Sequence, residues 1–124
     1  MTYYQQEVMR IRREHYPCAA VIERCRAAKR MIDEGCCGAI DLDGLAGGVF
    51  VSKFHFIRQF SRVYGRTPYR YLTERRMEVA KGLLAAGMSV GNVCCRVGFS
   101  SVPSFSSLFK RFVGYPPGKM RNFR

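Results

Sequence analysis

From Gly44 to the C-terminus the only acidic residues are Glu74 and Glu78, and none follows Glu78. Fourteen Lys and Arg occupy the same stretch, whereas the first 43 residues carry seven residues of each sign. The C-terminal two thirds therefore account for the whole formal charge of +12. A solvated surface normally mixes signs. Near-exclusion of acid over so long a stretch points instead to a polyanionic partner. Histidine is scarce: only His15 and His55 occur. The six cysteines (Cys18, Cys25, Cys36, Cys37, Cys94 and Cys95) form no C-x-x-C, and the histidines do not follow them at zinc-site spacing. No metal and no cofactor is expected. There is no carboxylate cluster, Ser-His-Asp set or phosphate-binding loop, so no catalytic residue is expected and the chain is read as a non-enzyme. No apolar run approaches the ~20 residues that span a bilayer. The N-terminal stretch Tyr3–Arg10 lacks the apolar core of a signal peptide. A cytoplasmic protein without a membrane partner is expected.

What the chain does have is an internal repeat. Ser52-Lys-Phe-His-Phe-Ile-Arg-Gln-Phe60 pairs with Ser101-Val-Pro-Ser-Phe-Ser-Ser-Leu-Phe109, forty-nine positions on. In that register Phe56 falls on Phe105, Phe60 on Phe109, Gly65 on Gly114 and Pro68 on Pro117. Each stretch reads as the second helix of a helix-turn-helix.

The segments around the repeat also read as helices. Residues 3–15 are helical but polar on most faces, and Pro17 ends them. Residues 19–34 space Val21, Ile22, Cys25, Ala28, Met31 and Ile32 at a helical period, and Gly35 stops the helix. Asp41 caps a short helix over residues 42–48, with Leu45, Ala46 and Val49 inward. Ser52 caps the next helix, which runs to Tyr64 and ends at Gly65 in a left-handed cap. Its inward stripe is Phe56, Phe60 and Val63. Thr67-Pro68 opens a long helix, with Pro at its first position. Leu72, Arg76, Val79, Ala80, Leu83 and Leu84 lie on one side, and Gly87 ends it. Its length of ~28 Å approaches the ~34 Å spacing of successive major grooves on one DNA face. Ser89 caps a short helix with Val90, Val93, Cys94 and Val97 on its apolar side, and Gly98 makes the turn. Ser100 or Ser101 caps the last long helix, with Pro103 in its first turn and Phe105, Leu108, Phe109 and Phe112 inward. The small helical position of Cys94 suits a core thiol.

In order along the chain, Leu45-Ala46, Ser52-x3-Phe56-x3-Phe60, Gly65-x-Thr-Pro68, Tyr71-Leu72, Arg76-Met77 and Ala80-x2-Leu83-Leu84 are followed by Val97-Gly98-Phe99, Phe105-x3-Phe109-Lys110, Gly114-x2-Pro117 and Arg121. This set resembles the AraC/XylS family of bacterial transcription regulators over roughly residues 20–122. The resemblance implies an all-α fold of about seven helices, with two helix-turn-helix subdomains joined by a long linker helix. The expected division is an N-terminal extension at 1–19, a first lobe at 20–66, a linker helix at 67–87 and a second lobe at 88–124.

It also implies double-stranded DNA as partner, bound by the helices at about 53–64 and 102–113. Carried over by position, Phe54, Ile57 and Arg58 face the bases. His55 and Arg62 reach phosphate, helped by Ser52, Lys53 and the helix N-terminus. In the second helix the matching base-facing positions are Val102, Pro103, Ser106 and Ser107, none with a long polar side chain. That lobe is expected to hold the backbone through Ser100, Ser104, Lys110 and Arg111 and to read little sequence directly. Gly44, Gly47 and Gly48 in the short first helix, and Phe50 in its turn, predict a weakly ordered first lobe.

Function is then sequence-specific transcription regulation, as an activator contacting RNA polymerase and binding an asymmetric site as a monomer. The N-terminal segment with Glu7, Glu14 and Glu23 is a candidate polymerase surface. No small-molecule ligand is expected in this chain. The alternatives are a low-specificity architectural DNA-binding protein and the DNA-binding fragment of a larger ligand-responsive regulator. Paired cysteines leave a redox-sensing reading open.

Overall fold

A computed structural model of the chain describes residues 2–6, 19–40 and 52–121. Among these residues all regular structure is helical: α1 (Ala19–Gly35), α2 (Lys53–Tyr64), α3 (Pro68–Ala85), α4 (Val90–Arg96), α5 (Val102–Val113) and α6 (Pro117–Arg121). The all-α expectation holds. Of the expected N-terminal helix, residues 3–6 are helical and the remainder lies outside the described residues. The expected helix at 42–48, with its cap and turn, also lies outside them. No described helix is long and apolar enough to cross a membrane. The chain divides into two compact units, Met1–Arg30 with Asp41–Pro68, and Met31–Ile40 with Tyr69–Arg124.

In the first unit, α2 is held at both ends. The Ser52 hydroxyl oxygen accepts the His55 backbone N–H at 3.1 Å. Gly65, at φ +76°, donates its N–H to the Ser61 carbonyl at 2.7 Å. Both devices satisfy backbone groups that a helix end leaves orphaned. Phe56 and Phe60 are fully buried, one turn apart, with their rings edge-on at 5.9 Å. Each buried ring contributes roughly 1.5–3 kcal/mol by leaving water. Tyr64 continues the stack, its ring 4.8 Å from that of Phe60, and the Lys29 ammonium lies over the Tyr64 ring, 5.9 Å from its centroid. In α1 the buried stripe is Val21, Cys25, Ala28 and Ile32, spaced four, three and four residues apart. Met31, expected inward, is 51% exposed, because that stripe leaves position 31 one step around the helix.

The second unit centres on Met77, Ala80 and Leu84 of α3, Val93 and Cys94 of α4, Val97, and Phe105 and Phe109 of α5. Spacing groups Arg76 and Val79 with Leu72, Ala80, Leu83 and Leu84 on one side of α3. Met77 takes the buried position instead; Val79 is half-buried and Arg76 is spent on the preceding loop, as described below. The helix ends where Gly87 adopts φ +98°. There Gly87 N–H reaches Leu84 O and Met88 N–H reaches Leu83 O, the paired bonds of a Schellman end. The α4 end repeats them: Gly98 N–H to Cys95 O and Phe99 N–H to Cys94 O, with Gly98 at φ +92°. An aromatic file of Phe99, Phe105, Phe109 and Tyr115, with successive centroids 5.5, 5.8 and 6.4 Å apart, then carries the core along α5.

Candidate nucleic-acid interface

The buried stripe of α2 fixes which side chains face solvent. With Phe56, Gln59 and Phe60 inward, a step of 100° per residue puts Phe54 and Arg58 on the opposite side. Phe54 is 70% exposed, an unusual state for a phenylalanine, and Arg58 and Arg62 are exposed beside it. Lys53 is exposed at the first turn; His55 and Ile57 are half-buried at the flanks. Ser61 also lies on the outer half, but its hydroxyl donates to the Ile57 carbonyl at 2.8 Å. The face thus offers one apolar ring, one guanidinium a turn later and a second guanidinium a turn beyond. A guanidinium can pair with guanine O6 and N7, and an apolar edge can meet a thymine methyl.

The α5 helix is built on the same plan. The Ser101 hydroxyl oxygen accepts the Ser104 N–H at 3.4 Å, which settles the choice between Ser100 and Ser101 as cap. Gly114, at φ +103°, donates to the Lys110 carbonyl at 2.9 Å. Phe105 and Phe109 are buried, so Pro103, Ser107, Lys110 and Arg111 turn outward and are exposed. Val102 is 43% exposed, Ser104 and Ser100 are exposed, and Ser106 is half-buried. No long polar side chain stands at the first-turn and second-turn positions that match Phe54 and Arg58; the cations gather at the helix C-terminal end. Arg111 also borders a shallow groove of about 370 Å³ between α5 and the start of α3, where Arg70 lies. Sequence reasoning had not singled out Arg70, since only the fold brings it toward Arg111.

Two residues lie in surroundings that helical periodicity does not foretell. Gln59 is 6% exposed, and its Oε1 has no hydrogen-bond partner among the described residues. Arg76 donates from Nε to the Cys36 carbonyl at 2.6 Å and from Nη2 to the Gly38 carbonyl at 3.3 Å. Its guanidinium also lies over the Phe99 ring at 5.8 Å. Nearby, Asp33 receives the Tyr71 hydroxyl and an ion pair from Arg75 Nε at 3.3 Å. These bonds tie residues 33–38 to α3 within the second unit. Cys94 is buried as expected of a core thiol, with Sγ donating to the Phe99 carbonyl at 3.6 Å. Burial pushes its thiol up and raises that of Cys25 to about 11. Among the described residues, no group of three or more His, Cys, Asp or Glu is placed to hold a metal ion.

Two Ser-capped, Phe-anchored amphipathic helices of twelve residues, each with basic residues in its last turn, define a helix-turn-helix class of protein. The profile of the family described as "Helix-turn-helix domain" matches residues 45–122. The MmsAB operon regulatory protein of Pseudomonas aeruginosa is 34% identical over 83 residues, which cover 66% of this chain and 27% of that protein. The chain thus spans about a quarter of that relative's length. The C-terminal domain of AraT, a response regulator from Geobacillus stearothermophilus, superposes with a TM-score of 0.72 at 27% identity, over 82% of this chain and 85% of that one. The DNA-binding domain of AdpA, a global transcriptional factor solved in complex with a target DNA, superposes with a TM-score of 0.64 at 27% identity, over 82% and 89% of the two chains. The chain belongs to the AraC-type family of helix-turn-helix DNA-binding transcription regulators.

Proposed function

We propose that this chain recognises a specific duplex by inserting α2 and α5 into two major-groove segments, with α2 reading bases and α5 chiefly gripping the backbone. The observation that carries this reading is the outer face of α2, where an exposed Phe54 and Arg58 sit opposite the buried phenylalanines. Arg58 pairs with a guanine, Phe54 and Ile57 meet apolar base edges, and Lys53, His55 and Arg62 neutralise phosphate with the helix N-terminus below Ser52. On α5, Val102, Pro103, Ser106 and Ser107 offer only small contacts, while Ser100, Ser104, Lys110 and Arg111 hold the strand. α3 serves as the linker helix of the two lobes. The site is asymmetric, because the two helices differ, and one chain occupies it as a monomer.

The chain acts in the cytoplasm as an activator, through a contact with RNA polymerase, and without enzymatic activity, cofactor or small-molecule ligand of its own. A second reading, low-specificity coating of DNA, draws on the plain outer face of α5. Selection of binding sites from a random duplex pool, followed by affinity against salt, separates the two. Specific recognition yields an asymmetric motif bound ~10³-fold or more tightly than a scrambled duplex at physiological salt. Coating yields no motif and the same steep salt slope for every duplex.

A further inference from the structure

The cysteines just after α1 are not used by the proposed DNA contacts, yet their thiols lie side by side. Cys36 Sγ and Cys37 Sγ are 3.8 Å apart. Chain adjacency makes this pair unlike an ordinary disulfide couple. Disulfides ask for Cα atoms usually about 4.4–6.8 Å apart, whereas consecutive Cα atoms lie ~3.8 Å apart across a trans peptide. Closing a bond between neighbours is therefore strained. Bridging the same two sulfurs through one intervening soft atom is not. Two bonds of about 2.3 Å from a tetrahedral or pyramidal centre hold their sulfurs at roughly the separation seen here. Since no third metal-type ligand joins the pair among the described residues, the site suits a centre that needs two thiols rather than zinc's four ligands.

The other neighbouring pair provides an internal contrast. Cys94 and Cys95 lie within α4, where adjacent residues diverge by about 100° around the axis. Cys94 is buried with its thiol on the Phe99 carbonyl, while Cys95 is exposed. Cys36 and Cys37 instead sit in the turn after α1, Cys36 buried and Cys37 half-buried. Burial pushes the Cys37 thiol up, with Cys36 adding to the effect and Arg76 and Arg96 opposing it. A protonated thiol is a poor target for alkylation or peroxide, both of which need thiolate. Condensation with an arsenic(III) oxide has no such preference for one isolated thiolate, because the second thiol closes the ring intramolecularly.

We propose that Cys36 and Cys37 form a dithiol site for a single thiophilic atom, of the trivalent arsenical class, and that its occupation is transmitted through Arg76 to the turn that leads into α5. In the binding step the As=O bond breaks and two As–S bonds form. The two thiol protons leave with the oxygen as one water, and arsenic stays at +3. Arg76 is the mechanical link. It holds the Cys36 and Gly38 carbonyls, and its guanidinium covers Phe99 and lies 3.2 Å from where a Cβ on Gly98 would stand. Ring closure across residues 36 and 37 turns the peptide whose carbonyl Arg76 grips. The arginine must then shift against Gly98 and Phe99, the last residues before the α5 cap.

The test uses phenylarsine oxide on the full chain, read by intact mass and by amide exchange. One adduct per chain is expected, carrying the reagent's mass less one water. It should be removed by a dithiol such as 2,3-dimercaptopropanol and resist excess glutathione. Cys36→Ser and Cys37→Ser should each abolish it, while Cys94→Ser and Cys95→Ser should keep it. Persistence of the adduct in Cys37→Ser, or its removal by glutathione, overturns the site. Exchange at residues 98–101 should quicken by about tenfold in the adduct, and not in Cys36→Ser or Cys37→Ser treated alike. An adduct at the right thiols with unchanged exchange there overturns the link through Arg76. Neither readout involves DNA, so both stand or fall apart from the proposed binding mode.

Discussion

The helices α2 and α5 share an interior and differ in their exterior. Each has twelve residues, a serine cap accepting the third backbone N–H, two buried phenylalanines four apart, and a glycine of positive φ closing the last turn. Aligned through those phenylalanines, Lys53 stands over Val102, Phe54 over Pro103, His55 over Ser104 and Arg58 over Ser107. Only the late basic position is kept, Arg62 over Arg111. Packing therefore constrains one half of each helix and leaves the other half to chemistry. Under the proposed binding mode, affinity is shared between the lobes while discrimination is concentrated in the first.

The largest expected effects probe what the helices have in common. Phe60→Ala and Phe109→Ala should each cost about 3–5 kcal/mol, seen in urea melts followed by ring absorbance. A much smaller loss for Phe60→Ala alone would break the parallel and fit the weakly ordered first lobe expected from its glycines. Next come the two glycine turns. Gly65→Ala and Gly98→Ala both place a side chain at positive φ, costing roughly 1–2 kcal/mol. The Cβ at 65 meets open space, whereas that at 98 meets the Arg76 guanidinium at 3.2 Å and the Cys37 carbonyl at 3.3 Å. Gly98→Ala should therefore be the costlier by calorimetry, and equal losses would mean that Arg76 yields freely.

The exteriors separate in binding. Arg58→Ala should weaken binding to the selected duplex by ~1–3 kcal/mol and relax preference at one base pair. Ser107→Ala should change the same titration by less than about 0.5 kcal/mol. A comparable loss at Ser107 would end the claim that the first lobe does the reading. The late arginines act without regard to sequence: Arg62→Ala and Arg111→Ala should weaken all duplexes alike and lower the salt slope by about one each.

The repeat, the caps and the helix ends were legible in sequence because they depend on neighbours within a turn. Ser52, Gly65, Ser89, Gly98 and Gly114 carry local backbone requirements, and the structure places each of them as those requirements dictate. What escaped is long-range. Spacing alone groups Arg76 with one side of α3, but its partners Cys36 and Gly38 lie 40 and 38 positions away. Tyr71 finds Asp33 across 38 positions, and no helical period records either bond. Met77 escaped because a stripe drawn through Arg76 sits one residue off. Gln59 escaped because amides are rarely buried, and burial beside Phe60 overrides that preference. The face of α2 was legible once the phenylalanine stripe was drawn, since a helix has only one opposite side.

Phe54 keeps most of its ring in water in the free chain. A ring that is wet when free and dry when seated in a groove leaves a calorimetric signature, a fall in heat capacity on association. Charge neutralisation carries no such signature of apolar burial. Recognition and mere adhesion by this protein should thus diverge with temperature, the recognised complex growing more exothermic on warming while the adherent one stays nearly flat.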